Sequence, residues 1–174
     1  MASTATSIRT TFSVGDKVVY PHHGAAIIKS LEEKEFQGEK KQYYILRLAY
    51  GDLTLMVPAD NCEEVGIRDI IARDELDKVF KVLRSKECRM PSNWSRRFKT
   101  HVEKLRSGDI YQVAEVVRNL ARREAEKGLS AGEKRMLTKA RQILVSEMTF
   151  AANVNEEEAG KMLDDVLDCS KAVV

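Results

Sequence analysis

The chain has 174 residues, 43% of them apolar and 32% charged, a balance that suits one ordinary folded domain or two small ones and excludes a fibre or a disordered polypeptide. No run of about 18 apolar residues is present, and the opening MASTATSIRTTF lacks the apolar stretch of a secretory signal, so a cytoplasmic protein without a membrane span is expected. The net charge of +2 hides a division: residues 1–67 carry 7 Lys and Arg against 9 Asp and Glu, residues 68–150 carry 20 against 12, and residues 151–174 carry 2 against 6. A basic middle between acidic ends points to a polyanionic partner for one part of the chain.

In chain order, the Ser/Thr-rich residues 1–11 are expected to be a disordered tail. From Phe12 the chain reads as strands and tight turns: Val18, Val19, Tyr20, Ile27, Ile28 and Tyr43 to Leu46 lie in short runs bounded by VGD, PHHG, QGE and YGD, which predicts four or five short antiparallel strands. In LTLMVP, Leu53, Leu55 and Val57 face one side and Thr54, Met56 and Pro58 the other. A sheet this small is expected to curl into a barrel to bury one face.

From residue 68 the period becomes helical. Asp109 is placed as an N-cap ahead of Ile110, Val113, Ala114, Val117 and Leu120, and Gly128 as the stop. Ser130 and Glu133 have capping-box spacing and open a helix with Leu137, Ala140, Leu144 and Met148 on one face. Weaker patterns cover residues 69–85, 93–106 and 155–169, so about five helices in a bundle are predicted. Period and charge switch together near Gly66. The expected fold is therefore α+β in two domains, residues 12–66 and 67–174.

Catalysis has no foothold in motifs: there is no phosphate-binding loop, no nucleophile elbow and no H-E-x-x-H. A non-enzymatic protein without cofactor or metal is expected. Cys62, Cys88 and Cys169 form no C-x-x-C pair and are read as reduced thiols. His22 and His23, beside Pro21 and Gly24, suit a turn, and His101 stands alone on a helix.

The constellation above background is basic. Residues 84–106 hold eight Lys and Arg, among them Arg96, Arg97, Lys99 and Arg106, against Glu87 and Glu103, and residues 118–141 hold another eight. Converging on one face, they would bind phosphates. Trp94, the single tryptophan, heads this stretch. Two readings are open for it: a core residue in line with Phe98, Val102 and Leu105, or an exposed ring at a helix start that stacks on bases or wedges into a minor groove.

Together, VGDKVVYPHHGAA, GDLTLMVP, NWSRR, VAEVVRNL and GLSAGEKRMLTKARQILVSE closely resemble the CarD (CdnL) family of bacterial transcription regulators, from about Phe12 to Leu167. The resemblance implies an N-terminal Tudor-like barrel that binds the β subunit of RNA polymerase, followed by a helical domain that contacts promoter DNA with little sequence preference. It implies a monomer, brought to the nucleoid by polymerase, that stabilises the open promoter complex at the upstream edge of the −10 region. In that picture Trp94 is the minor-groove wedge, and Arg96, Arg97, Lys99 and Lys134 touch the DNA backbone. The sequence departs at Lys34 and Met56, where the family pattern has arginines that grip polymerase: Lys34 keeps the charge and Met56 loses it. The rival readings are a polymerase-binding adaptor that makes no DNA contact, with Trp94 in its core, and an RNA-binding module.

Overall fold

The computed structural model describes residues 12–87 and 89–171, with side chains through Asp168. The expected tail at residues 1–11 and the thiols of Cys88 and Cys169 lie outside the described residues. Five strands form one antiparallel sheet: β1 (Lys17–Tyr20), β2 (Gly24–Phe36), β3 (Glu39–Leu48), β4 (Thr54–Pro58) and β5 (Arg68–Asp69), in the order β4-β3-β2-β1-β5. The turn between β1 and β2 is built by Pro21, His22 and His23, with the His23 N–H donating to the Tyr20 carbonyl at 3.0 Å. β2 and β3 run on past the rest of the sheet as an exposed two-stranded arm, with Phe36 at its tip pointing to solvent.

One face of the sheet is dry. Val18, Ala26, Ile28, Tyr44, Leu46, Leu48 and Val57 alternate inward from four strands and meet Phe12, Ala59, Cys62 and Ile67. The Tyr44 hydroxyl, buried among them, donates to the Phe12 carbonyl at 2.7 Å. The expected closed barrel is not formed. β5 has two residues and pairs only with β1, while β4 pairs only with β3, so nothing joins the two edges. The buried face is sealed instead by Phe12 and by the one-turn helix α1 (Cys62–Val65), which excludes water without strand closure.

The helical part comprises α2 (Leu76–Arg84), α3 (Trp94–Arg106), α4 (Ile110–Glu126), α5 (Ala131–Ala152) and α6 (Glu156–Lys171). The helix expected from residue 69 starts at Leu76, because Arg68 and Asp69 are taken up by the sheet. Asp109 caps α4 by accepting the Tyr111 N–H at 2.9 Å, and α4 ends ahead of Gly128, whose φ of +77° suits a residue without a Cβ. The core is assembled from Val79, Leu83, Val117, Leu120, Leu144, Met148 and Leu163 on four helices. α5 runs through its centre and packs on α4, α6 and β2.

Sheet and bundle are joined by polar contacts of fixed geometry. The Ser146 hydroxyl of α5 accepts the Ala25 N–H at 3.0 Å, and a Cβ on Gly24 would come within 2.7 Å of the same oxygen, so only glycine lets β2 approach so closely. Arg68 of β5 forks onto Glu147 of α5 at 2.6 and 2.9 Å and donates its Nε–H to the Gly108 carbonyl at 2.7 Å. Lys17 sits 5.0 Å from the centre of the Phe150 ring. Tyr50, in the turn before β4, hydrogen-bonds Glu156 of α6; burial and that carboxylate push its hydroxyl up to about 12.

Candidate nucleic-acid interface

α3 begins where the sequence places a cap. The Asn93 side chain accepts the Arg96 N–H at 3.1 Å, satisfying one of the free donors of the first turn, and this cap sets Trp94 as the first helical residue. Trp94 is 46% exposed. Its inner side lies on Phe98, with centroids 5.1 Å apart and planes at 22°. Its Nε1–H donates to the Ser130 hydroxyl, the cap of α5, at 3.1 Å. The first turns of α3 and α5 therefore meet at the indole, which is not sealed in the core.

Arg96 and Lys99 of α3 and Lys134 and Arg135 of α5 are exposed. Arg96 is two residues beyond Trp94, toward the other side of α3, and Lys134 is one turn beyond Ser130, so both lie at the end of the bundle that carries the indole. Both helices also aim their positive N-terminal ends at this corner. An exposed aromatic face, free cations and two helix starts are the elements from which phosphate and base contacts are made.

Arg97 differs from its expected place among the free cations. It is 2% exposed, and its Nε–H donates to Glu133, also 2% exposed, at 2.7 Å. Its Nη1 donates to the carbonyls of Ser92 at 3.1 Å and Pro91 at 3.3 Å. This guanidinium holds α3 to α5 from beneath and does not face solvent. Burial alone pushes the Glu133 carboxyl up, but the hydrogen bond from Arg97, the Ser130 N–H and the Arg97 charge together outweigh it and hold the group below its ordinary value. Other members of the basic clusters are likewise engaged: Lys104 pairs with Glu115 at 2.7 Å, and Arg141 with Asp164 at 2.8 Å. Sequence reasoning placed Ser130 and Glu133 in a helix cap without linking them to Trp94, because the two stretches lie 36 residues apart.

His101 lies one turn beyond Arg97 and is 1% exposed, with its Nδ1 unpartnered. Burial first, then the charges of Lys104 and Arg97, lower its pKa from 6.5 to about 4 despite Glu133. The ring is neutral at pH 7, and the unfolded chain binds the proton more readily. Stability is therefore complete above about pH 6.5 and is lost as pH falls toward about 4, by up to about 3 kcal/mol. Urea unfolding of the wild type and of His101→Leu across pH 7.5 to 4 should show a shallower fall in the variant; parallel curves would assign the acid sensitivity elsewhere.

On the sheet, Met56 is half-exposed on β4, an edge strand, next to Ile45 of β3. Lys34 lies on the β2–β3 arm, opposite Lys41 and 3.7 Å from Glu32. The structure does not bring these two residues to the Trp94 corner.

Among the described residues, no helix is long and apolar enough to cross a membrane, and no three His, Cys, Asp or Glu side chains come together as a metal site. Two family models match: "CarD-like/TRCF RID domain" over residues 12–71 and "CarD, C-terminal domain" over residues 78–164. The chain is also similar to "Putative transcription factor YdeB" of Bacillus subtilis (strain 168), at 37% identity over 147 residues, covering 84% of this chain and 96% of the relative. Matches to both parts, in this order and over this length, show that the chain belongs to the CarD family of transcription factors, non-enzymatic regulatory proteins.

Proposed function

We propose that the chain binds RNA polymerase through its sheet and stabilises the open promoter complex by applying the Trp94 corner to DNA at the upstream edge of the −10 region. The observation that carries this reading is the half-exposed indole set between two helix starts, with exposed Arg96 and Lys99 in the first turns of one helix and exposed Lys134 in the first turn of the other. On the polymerase side, β4 leaves one backbone edge unpaired, which suits strand addition to the β subunit. That mode relies on main-chain hydrogen bonds, so it tolerates methionine at position 56, and Lys34 adds a charge on the adjoining arm. Arg97 serves beneath the indole, while Arg96, Lys99 and Lys134 meet phosphates.

Magnitudes favour this division of labour. A lone basic domain of this kind binds DNA at roughly 10⁻⁴ to 10⁻⁶ M at physiological salt. Held on polymerase, it sees promoter DNA at an effective concentration in about the millimolar range, so a weak contact becomes occupied. A ring that fits part-melted DNA better than closed duplex shifts the equilibrium by the difference in affinity, tenfold for about 1.4 kcal/mol. The step involves no bond making or breaking.

The test is the lifetime of the open complex on a promoter fragment with polymerase. Intact protein should lengthen it about tenfold, and Trp94→Ala should return it close to the value for polymerase alone, with little change in melting temperature because the ring is half in water. An unfolded Trp94→Ala, or one of full potency, would favour the adaptor reading. Lys134→Ala should weaken the effect at all promoters and lower the salt slope by about 1.

A further inference from the structure

We propose that Ser130 is the positioning residue of Trp94: its hydroxyl, held by the buried Arg97–Glu133 pair, fixes the orientation in which the indole stands at the tip of the bundle. The inference deepens the reading above and rests on it for its consequence at the promoter.

A hydroxyl has one proton to give and two lone pairs, and at Ser130 all three are used. The oxygen accepts the indole N–H at 3.1 Å and the Glu133 backbone N–H at 3.2 Å, and its own proton goes to Glu133 Oε2 at 3.2 Å. The carboxylate is fixed in turn, because Oε2 also accepts the Ser130 N–H at 3.2 Å and Oε1 accepts the Arg97 Nε–H at 2.7 Å. Arg97 then reaches back to the Pro91 and Ser92 carbonyls, in the segment that leads into Trp94. The bonds close a loop: the chain entering α3 is tied to Arg97, Arg97 to Glu133, Glu133 to Ser130, and Ser130 to the indole.

The ring is also walled. Phe98 stacks beneath it, and a Cβ on Gly132 would stand 3.6 Å from Phe98 and 4.0 Å from Trp94 Cζ2, both ordinary contact distances, so the two rings lie over α5 at Gly132 with little more than the room of a methyl group between. A half-exposed tryptophan without such an anchor would sample several χ1 and χ2 wells, and ordering it on DNA would reduce the net affinity for the distorted duplex. The anchor removes that ordering cost before DNA arrives. It acts on the indole N–H alone, and so on tryptophan and not on phenylalanine.

Because Trp94 is the only tryptophan, its fluorescence reports this one ring. The experiment uses the full chain. Ser130→Gly removes the acceptor and keeps a residue acceptable at a helix cap; Ser130→Thr keeps the hydroxyl; Trp94→Phe removes the N–H and leaves the cap untouched. Ser130→Gly should lower the residual anisotropy of Trp94, raise its acrylamide quenching about twofold, and shorten the open-complex lifetime about fivefold, the loss of one ordinary hydrogen bond. Polymerase binding should not change, and Ser130→Thr should restore both the fluorescence and the lifetime. In the Trp94→Phe background, Ser130→Gly should have no further effect on lifetime. Unchanged indole anisotropy in Ser130→Gly, or an undiminished effect in the Trp94→Phe background, overturns the proposal. A loosened indole in Ser130→Gly beside a fully potent Trp94→Ala would uphold the anchor and sink the promoter reading instead.

Discussion

Arg68→Ala is expected to lower the stability of the chain by about 3 kcal/mol and to loosen the sheet from the bundle. Arg68 belongs to β5, yet most of its donor fork is spent on the helical part: two bonds to Glu147 and one to the Gly108 carbonyl, beside one from Nη1 to the carbonyl of its neighbour Asp69. Glu147 is 2% exposed, and without Arg68 its remaining donor is the Ile71 N–H at 3.1 Å. A carboxylate enclosed without its counter-charge is a larger penalty than the pair's own net worth, which puts the effect well above that of a surface bridge. The Arg68 side chain is 30% exposed, so water can reach part of the gap and the cost falls at the low end of the buried range. Urea unfolding at neutral pH measures it. Arg68→Lys should fall between, since one ammonium cannot replace a planar fork. An unchanged midpoint in Arg68→Ala would show that the fork contributes nothing net. Because the proposed function holds the bundle to promoter DNA through the sheet, the same variant should lose open-complex stabilisation with Trp94 intact.

What the sequence disclosed, and what it withheld, follows from the range of each interaction. Caps are local. Asp109 before Ile110, Ser130 with Glu133, and Gly128 after α4 act within four residues, and each was legible as a pattern of residue types. The strands of the sheet were legible for the same reason, but its open order was not, because closure depends on whether two distant edges meet and on Phe12 and α1 filling the space between. α3 shows the limit most clearly. The apolar line Trp94, Phe98, Val102, Leu105 suggests the buried side, whereas the fully buried residues are Arg97, His101 and Leu105. The buried side takes in Arg97 and His101 beside Leu105, which sets a guanidinium and an imidazole inside, and Trp94, on the same side, is exposed because it stands at the very start of the helix. Hydrophobic periodicity is blind to this, since the residues that decide it are polar and the partner Glu133 is on another helix.

The burial of Arg97 against Glu133 gives the pair beneath Trp94 its own testable energetics. Arg97→Met should cost about 3 to 5 kcal/mol, because it strands a fully enclosed Glu133 carboxylate while replacing the aliphatic stem nearly atom for atom. Adding Glu133→Gln should return at least about 1 kcal/mol of that loss: glutamine at the third helical position keeps the capping box with Ser130 and carries no charge to leave uncompensated. The pH dependence separates this from a packing defect. In the wild type the Glu133 pKa is lowered in the fold, so its contribution is present above the ordinary carboxylate range and is lost as pH falls through the folded value. In Arg97→Met burial acts with its main opponent gone and the shift is expected to reverse, so the deficit of the single variant relative to the wild type should shrink as pH falls from 7 toward 4.5, while that of the double variant should change less. Urea midpoints at the two pH values decide the matter. A double variant no more stable than Arg97→Met at neutral pH would mean that the stem and the carbonyl contacts of Arg97, rather than its charge, hold α3 against α5 beneath the indole.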